Sequence, residues 1–219
     1  MASLIQRVQD ILLRPKQTWP VIAAEPGDTA TLYRNYIAPL AAIPVIAGFI
    51  GMTLIGIGGF GVTMRVPILS SLVQGLVSYV LSLVIVFVIA LLVDVLAPTF
   101  GGRRSQVSAL KLVGYASTAG FVGGIFNLLP ALSVVGLLFG LYGIYLLYTG
   151  LPVLMRCPPD RAVPYTAVVV VCGIVAVLVL GSVTALVSGP GFRMGAGVAT
   201  EPGAGGLAVA GAHPGTVER

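Results

Sequence analysis

The chain has 219 residues, of which 57% are hydrophobic and only 9% are charged. Soluble globular proteins carry roughly a quarter charged residues, so this composition excludes a domain that covers its surface with polar side chains. The net charge of +5 comes from Lys and Arg residues that stand singly or in pairs between apolar blocks. Because no basic run or stripe could follow a phosphate backbone, we expect no nucleic-acid partner.

The N-terminal segment, residues 1–28, contains an amphipathic pattern that predicts a short helix capped by Ser3 and ending near Pro15. One face carries the apolar side chains, which are Leu4, Ile5, Val8, Ile11 and Leu12. Such a helix lies either in the headgroup plane of a membrane or against the protein's own loops, and both positions keep it out of the bilayer core. The following stretch, from Lys16 to Asp28, contains Trp19-Pro20 and predicts a short turn of helix and then a break.

The next part of the chain, residues 29–188, contains apolar blocks close to the roughly 20 residues that cross a hydrocarbon core. We predict an all-α membrane protein, a bundle of five transmembrane helices with a cytoplasmic N-terminal amphipathic helix. The predicted spans cover residues 37–60, 67–94, 109–129, 131–155 and 165–187. The remaining segment, residues 189–219, is rich in Gly, Ala and Pro without periodicity and is predicted to be disordered.

Small and polar residues recur on the predicted spans at helical spacing. The second span carries a polar stripe that we expect to face other helices, formed by Ser71, Gln74, Ser78 and Ser82. On the fourth span a face of small residues, which are Gly136, Gly140 and Gly143, predicts close helix packing. The fifth span is nearly all Val, Ala and Leu, which is typical of a helix that faces lipid.

The cations are distributed unequally between the two sides that five spans define. One side collects Arg7, Arg14, Lys16, Arg34, Arg103, Arg104, Lys111, Arg156 and Arg161; the other has Arg65, Arg193 and Arg219. The positive-inside rule then predicts a cytoplasmic N terminus and a C terminus outside. Anionic lipid headgroups are the expected contacts of these cations.

Ionisable side chains at the ends of spans are the candidate functional residues, since charges in a membrane are costly. Asp94 ends the second span and Lys111 begins the third, on either side of a loop that contains Arg103 and Arg104. An ion pair between them, or a carboxylate held by the loop arginines, is favoured over a proton or ion relay. Gln74, deeper in the second span, is interpreted as an interhelical hydrogen-bonding residue rather than a substrate ligand.

Residues for catalysis or metal binding are missing from the predicted membrane domain. The single histidine, His213, lies in the tail, and the two cysteines, Cys157 and Cys172, have neither metal-site nor disulfide-framework spacing. We therefore predict no enzyme activity, no cofactor and no metal.

Several segments together resemble the bacterial branch of the Yip family, named for Ypt-interacting proteins. The residues that carry the resemblance are Leu4–Val8, Leu13–Trp19, Ala23–Glu25, Tyr33, Tyr36–Ala41, Asp94–Gly102, Ala109–Lys111, Tyr115 and Gly140–Met155, so that it covers about Leu4 to Val187. It implies a five-helix membrane domain in the bacterial inner membrane with a cytoplasmic N terminus. Eukaryotic members bind prenylated Ypt/Rab GTPases, partners that a bacterial member would not have.

Two functional hypotheses follow. The first is a non-enzymatic membrane scaffold or adaptor of unassigned role that assembles with itself or with other membrane proteins. The alternative is a small transporter or channel that uses the polar stripe of the second span.

Overall fold

The computed structural model describes residues 3–51, 53, 57–59, 62–64, 68–129 and 132–187. Two predictions fall outside the described residues. One is the disordered tail, which contains Arg193 and Arg219, and the other is the position of Arg65. Eight α-helices and one hairpin follow in the described ranges: α1 (Leu4–Leu13), α2 (Pro15–Ala24), α3 (Thr29–Leu32), α4 (Ala38–Ile50), β1 (Ile57–Gly59), β2 (Val62–Met64), α5 (Ile68–Leu96), α6 (Gln106–Gly123), α7 (Ser133–Leu154) and α8 (Pro159–Val187).

Five helical segments in the described ranges are long and apolar enough to cross a membrane. These segments are Thr29–Ile50, Ser71–Leu96, Gln106–Leu128, Val134–Leu154 and Pro159–Val179. They confirm the predicted all-α membrane bundle of five helices, to which β1 and β2 add a short antiparallel hairpin that pairs Ile57 with Met64.

The first span differs from the predicted range, 37–60. A π-helical segment, Tyr33–Ile37, joins α3 to α4. The first span is therefore one continuous helical segment that begins at Thr29 and ends at Ile50. The π-helical segment ends two residues before Pro39, whose ring has no N–H to continue the regular hydrogen bonding. The predicted end was wrong because the glycine-rich stretch after residue 55 is apolar but a poor helix former, and part of it forms the hairpin.

The N-terminal segment contains two helices where one helix and a short turn were predicted. Ser3 caps α1 as expected, since its hydroxyl accepts a hydrogen bond of 3.2 Å from the amide of Gln6. Pro15 starts α2 at a position where a missing N–H costs nothing. The hydroxyl of Thr18 donates to the carbonyl of Asp10 at 3.0 Å and so joins α2 to the end of α1.

The third span is the centre of the bundle. Of its apolar window 67% is buried, against 17–28% for the other four spans. It packs on α4, α5 and α7, while α8 packs on the outside against α5 and α7. The exposed side chains of α8 include Val171, Ile174 and Leu178, in agreement with the expected lipid-facing helix.

Two of the three glycines predicted to pack on the fourth span do so. A methyl group on Gly136 would lie 3.2 Å from the carbonyl oxygen of Gly123, and one on Gly143 would lie 3.1 Å from that of Ala116. Gly140 has open space where its side chain would be, so its place on the packing face was predicted wrongly. On α6, Gly123 gives room for the Cβ of Phe139.

Candidate functional site

One end of the bundle carries the N-terminal helices. We call the surface formed by α1, α2, residues 97–105 and residues 155–158 the N-terminal face. Every charged residue in the described ranges lies on it or in the adjoining turns of the spans. The charged side chains of the described residues are therefore concentrated towards one end of the membrane domain.

Lys111 connects the third span to α2. Its ammonium donates hydrogen bonds to the main-chain carbonyls of Ile22, at 3.1 Å, and Glu25, at 2.5 Å. These carbonyls belong to the carboxyl end of α2, where unpaired C=O groups and the helix dipole favour a positive charge. Gly27 leaves space for the side chain, because a methyl group there would lie 2.5 Å from Cε of Lys111.

An ion pair joins α1 to the same end of α2. The guanidinium of Arg7 donates to the carboxylate of Glu25, and Arg7 is mostly buried while Glu25 is half-exposed. A partly exposed pair of this kind contributes about 1 kcal/mol or less. Its main consequence is geometric, since Glu25 is held by Arg7 through its side chain and by Lys111 through its main chain.

Trp19 anchors α2 in the bundle. It is fully buried, and its indole N–H donates a hydrogen bond of 3.1 Å to the hydroxyl of Thr149 on α7. Tyr115 of α6 meets the ring edge-on at 6.5 Å between centroids, and Gly150 provides the space for the ring. Burial of a Trp side chain is worth several kcal/mol, so α2 is a fixed part of the fold.

The last turn of α1 is held in a similar way. Ile11 is fully buried, and the phenol of Tyr142 donates a hydrogen bond of 2.7 Å to the carbonyl of Leu12. The amphipathic helix therefore packs on the protein itself, one of the two positions that the sequence left open. Its exposed apolar side chains, Ile5 and Leu13, remain available to a membrane surface or a partner.

Asp94 is held by one loop arginine and not by Lys111. The closest approach of its carboxylate to the Arg104 guanidinium is 3.7 Å, with 14% of the Asp94 side chain and 59% of the Arg104 side chain exposed. The other carboxylate oxygen, Oδ1, is buried without a hydrogen-bond partner in the part of the chain that the structure describes. The predicted pair of Asp94 with Lys111 does not form, because the ammonium is used by the end of α2.

Backbone contacts fix the loop that follows Asp94. Gly101 adopts a left-handed φ of 75°, and the amide of Gly102 donates to the carbonyl of Ala97 at 2.8 Å. The amide of Arg103 donates to the carbonyl of Met155 at 2.8 Å, which joins this loop to residues 155–158. Four exposed arginines lie in these two adjoining loops and in the first turn of α8, namely Arg103, Arg104, Arg156 and Arg161.

Tyr165 supports the same loop from α8. Its phenol donates a hydrogen bond to the carbonyl of Val93, and its ring stacks on Phe100 at 4.7 Å and 8° between planes. Cys157 is buried beside this contact, and burial raises the pKa of its thiol. The thiol is therefore less reactive than an exposed one.

Gln74 lies away from the N-terminal face. It is half-buried on α5, and the twenty residues between it and Asp94 correspond to about 30 Å of helix. Ser71, one turn earlier, has a buried hydroxyl without a hydrogen-bond partner in the described part of the chain. The predicted polar cluster is thus divided between the two ends of α5.

The sequence interpretation did not single out Arg7, Trp19 and Glu25, which hold the N-terminal helices in place. A signal was present, since Trp19 is the only tryptophan of the chain and follows an amphipathic helix. In the described ranges no group of three or more His, Cys, Asp or Glu residues is placed to hold a metal ion.

The fold and the position of the charges define a multi-pass helical membrane protein whose charged residues, in the described ranges, lie towards one end. A family model described as the Yip1 domain matches residues 10–180. The chain therefore belongs to the Yip1 domain family, as its sequence segments had indicated. This family is not a known enzyme family.

A curated relative supports the membrane location. The chain is 26% identical to inner membrane protein YohC of Escherichia coli (strain K12) over 177 residues, which are 79% of this chain and 91% of that protein. The protein of the same name from Escherichia coli O6:H1 matches with the same identity and coverage. No solved structure matches this chain.

Proposed function

We propose that the chain is a non-enzymatic scaffold or adaptor of the bacterial inner membrane, with the N-terminal face as its docking surface. The observation that carries this proposal is the attachment of α2 to the bundle by Trp19 and Lys111. A helix fixed in this way presents its outer side in a constant position, which lowers the entropy cost of binding a partner. The exposed apolar side chains of this surface include Ile5, Leu13 and Val21.

The proposed orientation places the N-terminal face in the cytoplasm and the C terminus outside. Support comes from the charge distribution, because the basic side chains in the described ranges are found at this end. Retention of Lys and Arg on the cytoplasmic side is the common arrangement in membrane proteins.

Two kinds of partner fit this surface. Arg103, Arg104, Arg156 and Arg161 would contact anionic lipid headgroups, which attract basic side chains near a membrane surface. The apolar side chains of α1 would contact another membrane protein or a second copy of this chain. Both contacts together would hold a partner close to the membrane.

Photocrosslinking tests the proposal. A photoreactive amino acid at Leu13, on the docking surface, is compared with one at Leu141, an exposed residue of α7. We expect discrete protein adducts from Leu13 and mainly lipid adducts from Leu141, and native mass spectrometry of the protein in lipid should show a stable oligomer or complex. A solitary monomer with lipid adducts at both positions would contradict the proposal.

The alternative is a small transporter or channel. It is motivated by two buried polar atoms without partners in the described residues, Oγ of Ser71 and Oδ1 of Asp94. The apolar stretch of residues 83–93 weakens it, because it leaves about 18 Å of α5 between Ser82 and Asp94 without a polar side chain, and a relay needs polar groups in between. A flux assay in liposomes that compares the parent protein with Asp94→Asn and Gln74→Leu decides between the two functions, since a parent without flux removes the alternative.

A further inference from the structure

Two loops of the N-terminal face are joined to each other through their backbones. Residues 97–105 connect α5 to α6, and residues 155–158 connect α7 to α8. The amide of Arg103 donates to the carbonyl of Met155 at 2.8 Å, and the same carbonyl oxygen lies 2.9 Å from where a side chain on Gly102 would begin. Four membrane-crossing helices therefore begin or end at one small surface whose backbone is fixed.

Three arginine side chains of this surface lack counter-charges within the described protein. Arg103, Arg156 and Arg161 are exposed, and none of them forms an ion pair in the residues that the structure describes. Arg104 differs from them, since its guanidinium approaches the carboxylate of Asp94 at 3.7 Å. Three guanidinium groups without a counter-charge favour an anion from outside the chain.

Arg161 reaches from the first turn of α8 to the other loop. Its Nη1 lies 3.6 Å from where a side chain on Gly101 would begin, and the left-handed φ of 75° suits a residue that leaves this space empty. Arg103 follows Gly101 by two residues, so the Cα atoms of these two residues are about 7 Å apart or less. Asp160, which precedes Arg161, forms no ion pair within the described ranges.

Arg156 has a backbone conformation that arginine rarely adopts. Its φ is 52°, and it is the one non-glycine residue with a positive φ in the described part of the chain. It stands directly after the C-cap of α7, Met155, where glycine is the usual residue because it has no Cβ to cause strain. Strained residues of this kind cluster at ligand sites, and the guanidinium is what Arg156 has and glycine lacks. Because Met155 accepts the amide of Arg103, the two arginines start from adjoining points of the backbone.

The location of these arginines indicates which anion fits. Arg156 is the second residue after the span Val134–Leu154, and Arg161 is the third residue of the span Pro159–Val179. Basic side chains at the ends of spans reach the phosphates of the bilayer surface, and the planar guanidinium can give two hydrogen bonds to one phosphate. An ethanolamine or choline ammonium would bring a further cation to three arginines without counter-charges. A headgroup with net negative charge therefore fits better than a zwitterionic one.

We propose that Arg103, Arg156 and Arg161 form a site for the phosphate of an anionic phospholipid in the leaflet that the N-terminal face contacts. The phosphate oxygens accept hydrogen bonds from guanidinium groups of both loops, so that one lipid joins the end of α5 and the start of α6 to the end of α7 and the start of α8. The site rests on the proposed function in that these loops face lipid headgroups, but it requires no protein partner.

The test measures lipid binding to the full protein in detergent by native mass spectrometry. Phosphatidylglycerol, phosphatidylethanolamine and inorganic phosphate are titrated separately into the parent, Arg103→Gln, Arg156→Gly and Arg161→Gln. Arg14→Gln, which removes an exposed arginine outside both loops, is the matched control. The parent should bind phosphatidylglycerol about fivefold or more tightly than phosphatidylethanolamine, and it should bind no inorganic phosphate at the same concentration.

The variants separate a lipid site from a structural role of the arginines. Each loop variant should weaken binding of phosphatidylglycerol about fivefold, whereas Arg14→Gln should leave it unchanged. Arg156→Gly removes the guanidinium and relieves the left-handed backbone at once, so without lipid it should melt at the temperature of the parent or higher. It should also lose most of the rise in melting temperature that phosphatidylglycerol gives the parent.

Equal binding of the two phospholipids by the parent would overturn the proposal, and so would the same loss of binding in Arg14→Gln as in the loop variants. Binding of inorganic phosphate in place of the lipid would also overturn it, because the site would then belong to a soluble anion. A melting temperature of Arg156→Gly well below that of the parent would assign Arg156 a structural role instead. Photocrosslinking from Leu13 reports the protein partner separately, so failure of the lipid site and failure of the scaffold role are distinguishable.

Discussion

The ammonium of Lys111 lies 2.5 Å from the main-chain carbonyl oxygen of Glu25, so that a membrane span provides the cap for a helix of the N-terminal segment. The carboxylate of the same residue, Glu25, forms an ion pair with the guanidinium of Arg7. This arrangement converts a short amphipathic sequence into a fixed part of the bundle. Its consequences can be measured, because Trp19 is the only tryptophan of the chain.

We expect Lys111→Met to release α2 from the bundle part of the time. Hydrogen bonds from a charged donor contribute about 1.5–3 kcal/mol, so the released population should rise about 10- to 100-fold. The emission of Trp19 should then move to longer wavelength and become accessible to iodide. Lys16→Met, which removes an exposed cation from the same helix, is the matched control and should leave the emission unchanged. The same quenching in both variants would contradict the role of Lys111.

We expect Gly123→Ala to destabilise the bundle and Gly140→Ala to leave it unchanged. A methyl group on Gly123 would collide with Cβ and the ring of Phe139, whereas nothing lies within 4 Å of the corresponding position at Gly140. Overpacking of this kind costs about 1–3 kcal/mol. Thermal unfolding in lipid measures the difference, and equal melting temperatures for the two variants would show that α6 and α7 do not pack as described.

The loop after Asp94 should depend on its backbone contacts more than on its ion pair. Arg104→Gln removes a pair at 3.7 Å whose arginine is mostly exposed, a loss of about 1 kcal/mol or less. Gly102→Ala would place a methyl group 2.9 Å from the carbonyl oxygen of Met155 and 3.2 Å from that of Ala97. Unfolding measurements should therefore find Gly102→Ala the more damaging, and the reverse order would assign the loop's stability to the charges.

Cys157 should react slowly with maleimide in the folded protein, measured in a Cys172→Ala background. Burial raises the pKa of its thiol, so at a given pH less of the reactive thiolate is present, and the labelling rate should keep rising above the pH at which an exposed cysteine levels off. The neighbouring Gly102→Ala variant should accelerate labelling by opening the contact with Cys157. Rapid labelling of the parent, with the pH profile of a free thiol, would contradict the buried position.

The number of spans and the family could be predicted from the sequence, because apolar block length and local segments are properties of the sequence alone. The start of the first span could not, since Tyr33 and Arg34 interrupt the hydropathy of a helix that continues through them. The partner of Lys111 is a pair of main-chain carbonyls almost ninety residues away, and main-chain acceptors have no sequence pattern. Asp94 with Arg104 was one of the two arrangements considered, because both residues flank a short loop.

The most direct test of the account is the side of the membrane on which the N-terminal face lies. Single cysteines are introduced as Lys16→Cys, on that face, and Asn127→Cys, exposed at the opposite end, in a Cys157→Ser, Cys172→Ser background. An impermeant maleimide is applied to spheroplasts and to inverted vesicles. We predict labelling of residue 16 only in inverted vesicles and of residue 127 only in spheroplasts. Labelling of both positions from the same side, or the opposite assignment, would contradict the account.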